Sequence, residues 1–148
     1  MTEARSGSHF VVGDSRESVG RTVSEADLTT WGGLVHDFTQ LHFDQAHMAN
    51  TPFGRPIAHG YIALNWAVGL MFPEHAAWYA PDGSDAVRRW SDVRFLAPVF
   101  VGDTLNCRRT VKELKNDEVH FRVEMLKEGT PVVAGTEIVS LTSKENGK

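Results

Sequence analysis

The sequence predicts an α+β fold in which a curved antiparallel sheet wraps around one long apolar helix. Three observations predict it. Tyr61 to Phe72 is apolar with few polar interruptions and stops at Pro73, which marks a mostly buried helix over Gly60 to Met71. The second half then reads as four strands, Ala86 to Leu96, Asp103 to Leu114, Glu118 to Lys127 and Pro131 to Leu141, separated by turn-forming residues. In the third of these, Val119, Phe121, Val123 and Met125 alternate with His120, Arg122 and Glu124, the pattern of a sheet with one face buried. One apolar helix and an amphipathic sheet cover each other.

The preceding elements follow in order. Residues 1–8 and 143–148 are small, polar or charged and are expected to fray, leaving one domain over 9–142. Val19 to Val23 is a short strand candidate ending at Ser24, where Ser24-Glu25-Ala26-Asp27 matches a capping box. The helix that starts there carries Leu28, Trp31, Leu34 and Val35 on one face, and Gly32-Gly33 weakens its end. Asp44 is placed to cap a short turn of helix through Gln45 to Ala49, which Asn50-Thr51-Pro52 stops.

Composition narrows the function. With 148 residues, 41% hydrophobic and 23% charged, the chain is long enough to bury a core and has the make-up of an ordinary globular protein. A net charge of −4 argues against a general nucleic-acid binder. No basic region followed by an apolar run opens the chain, and no stretch of eighteen apolar residues occurs, so no membrane role and a cytoplasmic location are expected. The single cysteine, Cys107, has no disulfide partner within the chain.

The chemically dense stretch is Asp37 to Gly60, DFTQLHFDQAHMANTPFGRPIAHG. Asp37 and His42 lie five apart across a helix break, so a turn can converge a carboxylate and an imidazole on one water. The spacing also allows Asp37 to cap a turn and His42 to be a satisfied core histidine. Gly60 opens the central helix, where free backbone N–H groups can stabilise a developing enolate oxygen, or where a glycine relieves crowding. His36, His42, His47 and His59 crowd the region, but the spacing is not that of a paired metal site, and no metal is expected. A serine nucleophile elbow and a glycine-rich phosphate loop are both missing.

The stretch resembles the hydratase signature of MaoC-like proteins, the hot-dog-fold family of (R)-specific enoyl-CoA hydratases and related acyl dehydratases. Asp37, His42, Asp44 and Ala49 match its Asp-to-His segment, and Phe53 to Gly60, FGRPIAHG, matches the segment next to it in the signature. Downstream, Val93 to Leu105, VRFLAPVFVGDTL, is similar to the family's strand-turn-strand segment, so the likeness runs from about Thr22 to Ser140. The chain departs from the signature at Val35-His36, where Ser-Gly is usual, and at Thr39-Gln40, where Asn-Pro is usual.

The resemblance implies a hot-dog domain acting as a homodimer on an acyl-CoA or acyl-carrier thioester, with no cofactor. It implies that Asp37 and His42 activate water and that the Gly60 N–H holds the thioester oxygen. Arg55, Arg88, Arg89 and Arg94 are candidates for phosphate contacts, and Phe53, Ile57, Trp66 and Met71 for an acyl pocket, with His59 beside them. The expected reaction interconverts a 2-enoyl thioester and a 3-hydroxyacyl thioester. The alternatives are a non-catalytic acyl-thioester-binding or dimerising hot-dog protein and an acyl-CoA thioesterase.

Overall fold

The computed structural model describes residues 10–71, 87–116 and 118–140. Two short strands, β1 (Ser15–Glu17) and β2 (Arg21–Thr22), lead into helices α1 (Glu25–Val35), α2 (Gln40–Phe43), α3 (Gln45–Met48) and α4 (Gly60–Met71). Four long strands follow among the described residues: β3 (Val87–Phe95), β4 (Thr104–Lys115), β5 (Glu118–Lys127) and β6 (Thr130–Ser140). The antiparallel sheet runs β1-β4-β5-β6-β3, with β2 also paired to β4.

Helix α4 occupies the span the sequence predicts, but it is buried on one face rather than mostly buried: Ile62, Ala63, Ala67 and Met71 are covered, while Tyr61, Asn65, Val68 and Gly69 are exposed in the single chain. Opposite it, Leu105, Cys107 and Val111 of β4 and Val119, Phe121, Val123 and Met125 of β5 complete one core cluster. Each large apolar side chain buried there contributes roughly 1.5–3 kcal/mol. Burial also accounts for Cys107, whose thiol is pushed up to about 12.

The N-terminal expectations need adjusting. In place of one strand over Val19 to Val23 there are two pieces flanking Ser18, whose hydroxyl accepts the Cys107 N–H at 2.9 Å and donates to the Val19 carbonyl at 2.8 Å. That side chain takes over the ladder where the strand breaks. In α1 the capping box forms as the sequence predicts, with Ser24 and Asp27 bonding reciprocally. Its buried residues, however, are Leu28 and Gly32, while Leu34 is 72% exposed. A Cβ at Gly32 would lie 2.9 Å from Phe43 Cζ and 3.1 Å from the Asp37 carbonyl oxygen, so the glycine permits close packing of the turn after α1.

Two features shape the rest of the sheet. The edge strand β3 shifts register twice against β6, and Asp92 takes a positive φ of 52° between Ser91 and Arg94. Such bulges re-aim the side chains beyond them. In the core, Arg109 and Glu137 form an ion pair at 2.5 Å, each with its side chain 2% exposed. The Arg109 guanidinium also stacks 3.6 Å over the Phe121 ring, and burial raises the Glu137 carboxyl above its ordinary range against the pull of Arg109. The predicted turn at Pro81-Asp82-Gly83, strand ends Ala86 and Leu141 and the two chain ends lie outside the described residues.

Removing one partner strands the other charge in the core, so Arg109→Met is expected to destabilise the fold by about 3–5 kcal/mol. Urea unfolding of this variant beside the Arg109→Met/Glu137→Met pair checks it, with the double change recovering most of the loss.

Candidate active site

Helix α1 ends at His36, whose left-handed backbone (φ 58°) turns the chain, and the Asp37 N–H bonds back to the Gly32 carbonyl. The Asp37 carboxylate then accepts the Thr39 N–H at 3.2 Å, and α2 brings His42 back towards it one turn later. Asp44 caps α3 through the His47 N–H at 2.8 Å, which gives it a structural role. Beyond the turn at Gly54, Ile57 and Ala58 bond to the carbonyls of Leu41 and Val99, which fixes the Ala58-His59-Gly60 segment against both α2 and the loop before β4.

These constraints bring Asp37, His42 and His59 together, one ligand atom of each lying within 4.8 Å of the others. Asp37 Oδ2 is 3.7 Å from Nε2 of both His42 and His59. The His42 Nδ1–H donates to the Ile57 carbonyl at 2.7 Å, so its Nε2 carries the lone pair on the side of Asp37. The His59 Nε2–H donates to the Asp37 carbonyl at 3.1 Å. The two imidazoles stack with centroids 3.7 Å apart and planes 27° apart, which suits the trio poorly to chelating one ion: near-parallel rings do not converge their lone pairs, and His59 Nε2 is committed as a donor.

The charges are set by these contacts. The Thr39 N–H, with smaller help from the two histidines, holds the Asp37 carboxyl below its ordinary value, so it is an anion near neutral pH. Burial lowers His59 below the ordinary histidine value despite its bond to the Asp37 carbonyl. His59 is therefore neutral under the same conditions.

Asp37, His42, His59 and Gly60 are part of the lining of a mainly apolar cavity of about 720 Å3, whose walls also include Phe53, Ile57, Tyr61, Phe95 and Leu96. Gly60 is the first residue of α4, so its N–H has no acceptor within the helix. A Cβ on Gly60 would fall 2.5 Å from Phe95 Cδ1, so this glycine does relieve crowding as well. Of the substrate-contact candidates, Phe53, Ile57 and His59 line the cavity. Trp66 lies instead beneath the Arg21 guanidinium at 4.1 Å, and Met71 is in the core. Arg55 stacks over Phe100 at 4.3 Å and lines a smaller neighbouring cavity, Arg94 is exposed on β3 outside both linings, and Arg89 holds Glu118 through two bonds. The Arg88 side chain lies outside the described residues.

Sequence reasoning missed Phe95 as a cavity residue. Its signal was present in the VRFLAP segment, but the bulged register of β3 decides which way it faces.

A curved antiparallel sheet holding one apolar helix, with a carboxylate–imidazole pair at the helix N-terminus, is a hot-dog domain. Residues 9–140 match the MaoC like domain model, and the chain belongs to that family. It is 27% identical over 132 residues to an (R)-specific enoyl-CoA hydratase of Rhodospirillum rubrum, covering 86% of this chain and 85% of the relative. The (R)-specific enoyl-CoA hydratase of Aeromonas caviae is 31% identical over 93 residues, which is 63% of this chain and 65% of that one. Protein MaoC of Klebsiella aerogenes is 34% identical over 68% of this chain, a match spanning only 28% of its own length.

Among solved structures, a monoamine oxidase regulatory protein from Archaeoglobus fulgidus superposes with a TM-score of 0.81 at 30% identity, covering 93% of this chain and 94% of that one. The (R)-hydratase of A. caviae involved in PHA biosynthesis gives 0.75 at 26% identity, covering 89% and 97%. No helix among the described residues is long and apolar enough to cross a membrane.

Two measurements check the site. Gly60→Ala is expected to cost about 1–3 kcal/mol through overpacking. Phe95→Ala in the same chain should relieve most of that cost, giving a clear coupling in a double-mutant cycle. The second concerns acid. Because the folded pKa of His59 lies below its unfolded value of 6.5, the unfolded chain binds more protons as pH falls past 6.5. Stability should decline from there towards the folded pKa, and denaturation midpoints of His59→Phe should show a shallower decline.

Proposed function

We propose that the chain is a hydro-lyase that adds water across the double bond of a 2-enoyl thioester, and in reverse dehydrates a 3-hydroxyacyl thioester. The observation that carries this reading is the 3.7 Å approach of Asp37 Oδ2 to the lone-pair side of His42, in the lining of an apolar cavity that Gly60 also lines. Such a pair can receive the two O–H groups of one water and leave the water's oxygen lone pair directed at the bound substrate.

Attack of that oxygen on C3 pushes the double-bond electrons through C2 to the thioester carbonyl, giving an enolate. The proton leaving the water passes to His42 Nε2, because an imidazole is ordinarily the stronger base and Asp37 is held lower still. Asp37 stays anionic and stabilises the imidazolium. The enolate oxygen is met by the Gly60 N–H at the positive end of α4. As the enolate collapses, the proton is delivered to C2, so that H and OH have been added and both residues return to their starting states.

The apolar walls suit an acyl chain. The curated relatives named as enoyl-CoA hydratases support CoA as the carrier. We further propose that the acting form is a homodimer, because Phe53, Tyr61, Phe95 and Leu96, which border the cavity, are each between 42% and 59% exposed in the single chain. A patch of this kind is covered by a partner surface more often than by water.

The test is the loss of conjugated-thioester absorbance with short, medium and branched enoyl-CoAs. Asp37→Asn and His42→Ala, folded as judged by circular dichroism, are each expected to lower kcat by about 10²- to 10⁴-fold. Full activity in either variant would remove the mechanism. Release of free thiol from an acyl-CoA without hydration would point to a thioesterase instead.

A further inference from the structure

We propose that His59 is a positioning residue for the hydration reaction, clamping the Asp37 main chain and backing His42 so that the Asp37 carboxylate and His42 Nε2 stay aimed at one water. The inference rests on the hydratase reading above, in which His59 itself has no step.

Three observations carry it. His59 is 4% exposed, and its Nε2–H is spent on the Asp37 carbonyl at 3.1 Å, with the Asp37 carboxylate 3.7 Å from the same nitrogen. One N–H is therefore bonded to the backbone of the residue that holds the water, with that residue's carboxylate beside it. The stack on His42, 3.7 Å between centroids, blocks one face of that ring, while the Nδ1 bond to Ile57 fixes its rotation. His59 and Gly60 are adjacent, so the clamp also joins the water-activating pair to the N-terminus of α4.

The remaining nitrogen argues against the simpler roles. His59 Nδ1 is buried and has no hydrogen-bond partner among the described residues. A buried acceptor left unpaired costs free energy, and a phenyl ring would fill the same space without that cost. Packing alone does not explain an imidazole here. Substrate binding does not explain it either, because one nitrogen is committed and the other buried. What the imidazole adds over a phenyl ring is the Nε2–H. Burial keeps the ring neutral, so the stacked His59 sets no positive charge against the imidazolium that His42 becomes during the reaction.

The experiment compares kcat and KM of the full chain with those of His59→Phe and His59→Gln. Phe keeps a ring on His42 but has no donor. It is expected to lower kcat about 10- to 100-fold, with KM within about threefold of wild type, the pattern of misplaced reacting groups. Gln can place an amide donor near the lost Nε2–H and should recover roughly tenfold of the deficit. A His59→Phe enzyme with kcat within about twofold of wild type overturns the proposal, as does a raised KM at unchanged kcat, which would make His59 a substrate contact.

Long-range ¹H–¹⁵N spectra of the unmodified protein decide the matter if His59→Phe fails to fold. The proposal expects His59 as the neutral Nε2–H tautomer and His42 as the Nδ1–H tautomer, and an Nδ1–H at His59 overturns it. The two levels separate cleanly. Activity that is lost in Asp37→Asn but retained in His59→Phe sinks only the role of His59, whereas a wild-type chain that hydrates no enoyl thioester sinks the hydratase reading together with it.

Discussion

The burial of one apolar face of α4 is the constraint on which the rest of the structure depends. A twelve-residue helix with scarcely any polar side chains needs an apolar surface to cover it, and the long strands meet its Ile62-Ala63-Ala67-Met71 face with inward residues that are apolar, while Tyr61 and Val68 stay exposed on the other side. A buried helix still has an N-terminus with unpaired N–H groups. Here that end opens into the cavity, and the loop leading to it, Pro56 to His59, is the segment pinned against α2. The site lies where it does because the packing that stabilises the domain leaves one polar end to be used.

Much of this was legible in the sequence because it depends on local rules. The capping box at Ser24 bounds its helix through backbone chemistry that nearby residues supply. The alternation in β5 is a direct image of its two faces. Asp44 could be assigned to a cap for the same reason, since its partner is three residues away. The hot-dog arrangement and the family came from longer matches, and the comparisons agree with both.

The remainder depends on contacts between distant segments. Nothing near His59 in the chain indicates that its Nε2–H reaches the carbonyl of Asp37, twenty-two residues earlier. The fit of Gly60 against Phe95 likewise depends on a register shift in another strand, and Leu34 is exposed because a glycine, not a leucine, faces Phe43. Apolar residues on a helix specify that it has an inner face, but close backbone approach decides which small residue must occupy its tightest point. The same limit applies to Trp66, whose neighbour turned out to be Arg21.

The irregular course of β3 has a consequence beyond the site. As one margin of the sheet among the described residues, β3 offers backbone groups that another extended chain could pair with. Its two register shifts and the left-handed residue at Asp92 break that row into short lengths with different facing. A foreign strand would have to reproduce the same irregularities to extend the ladder. The kinks thus favour a matching surface over indiscriminate stacking along this margin.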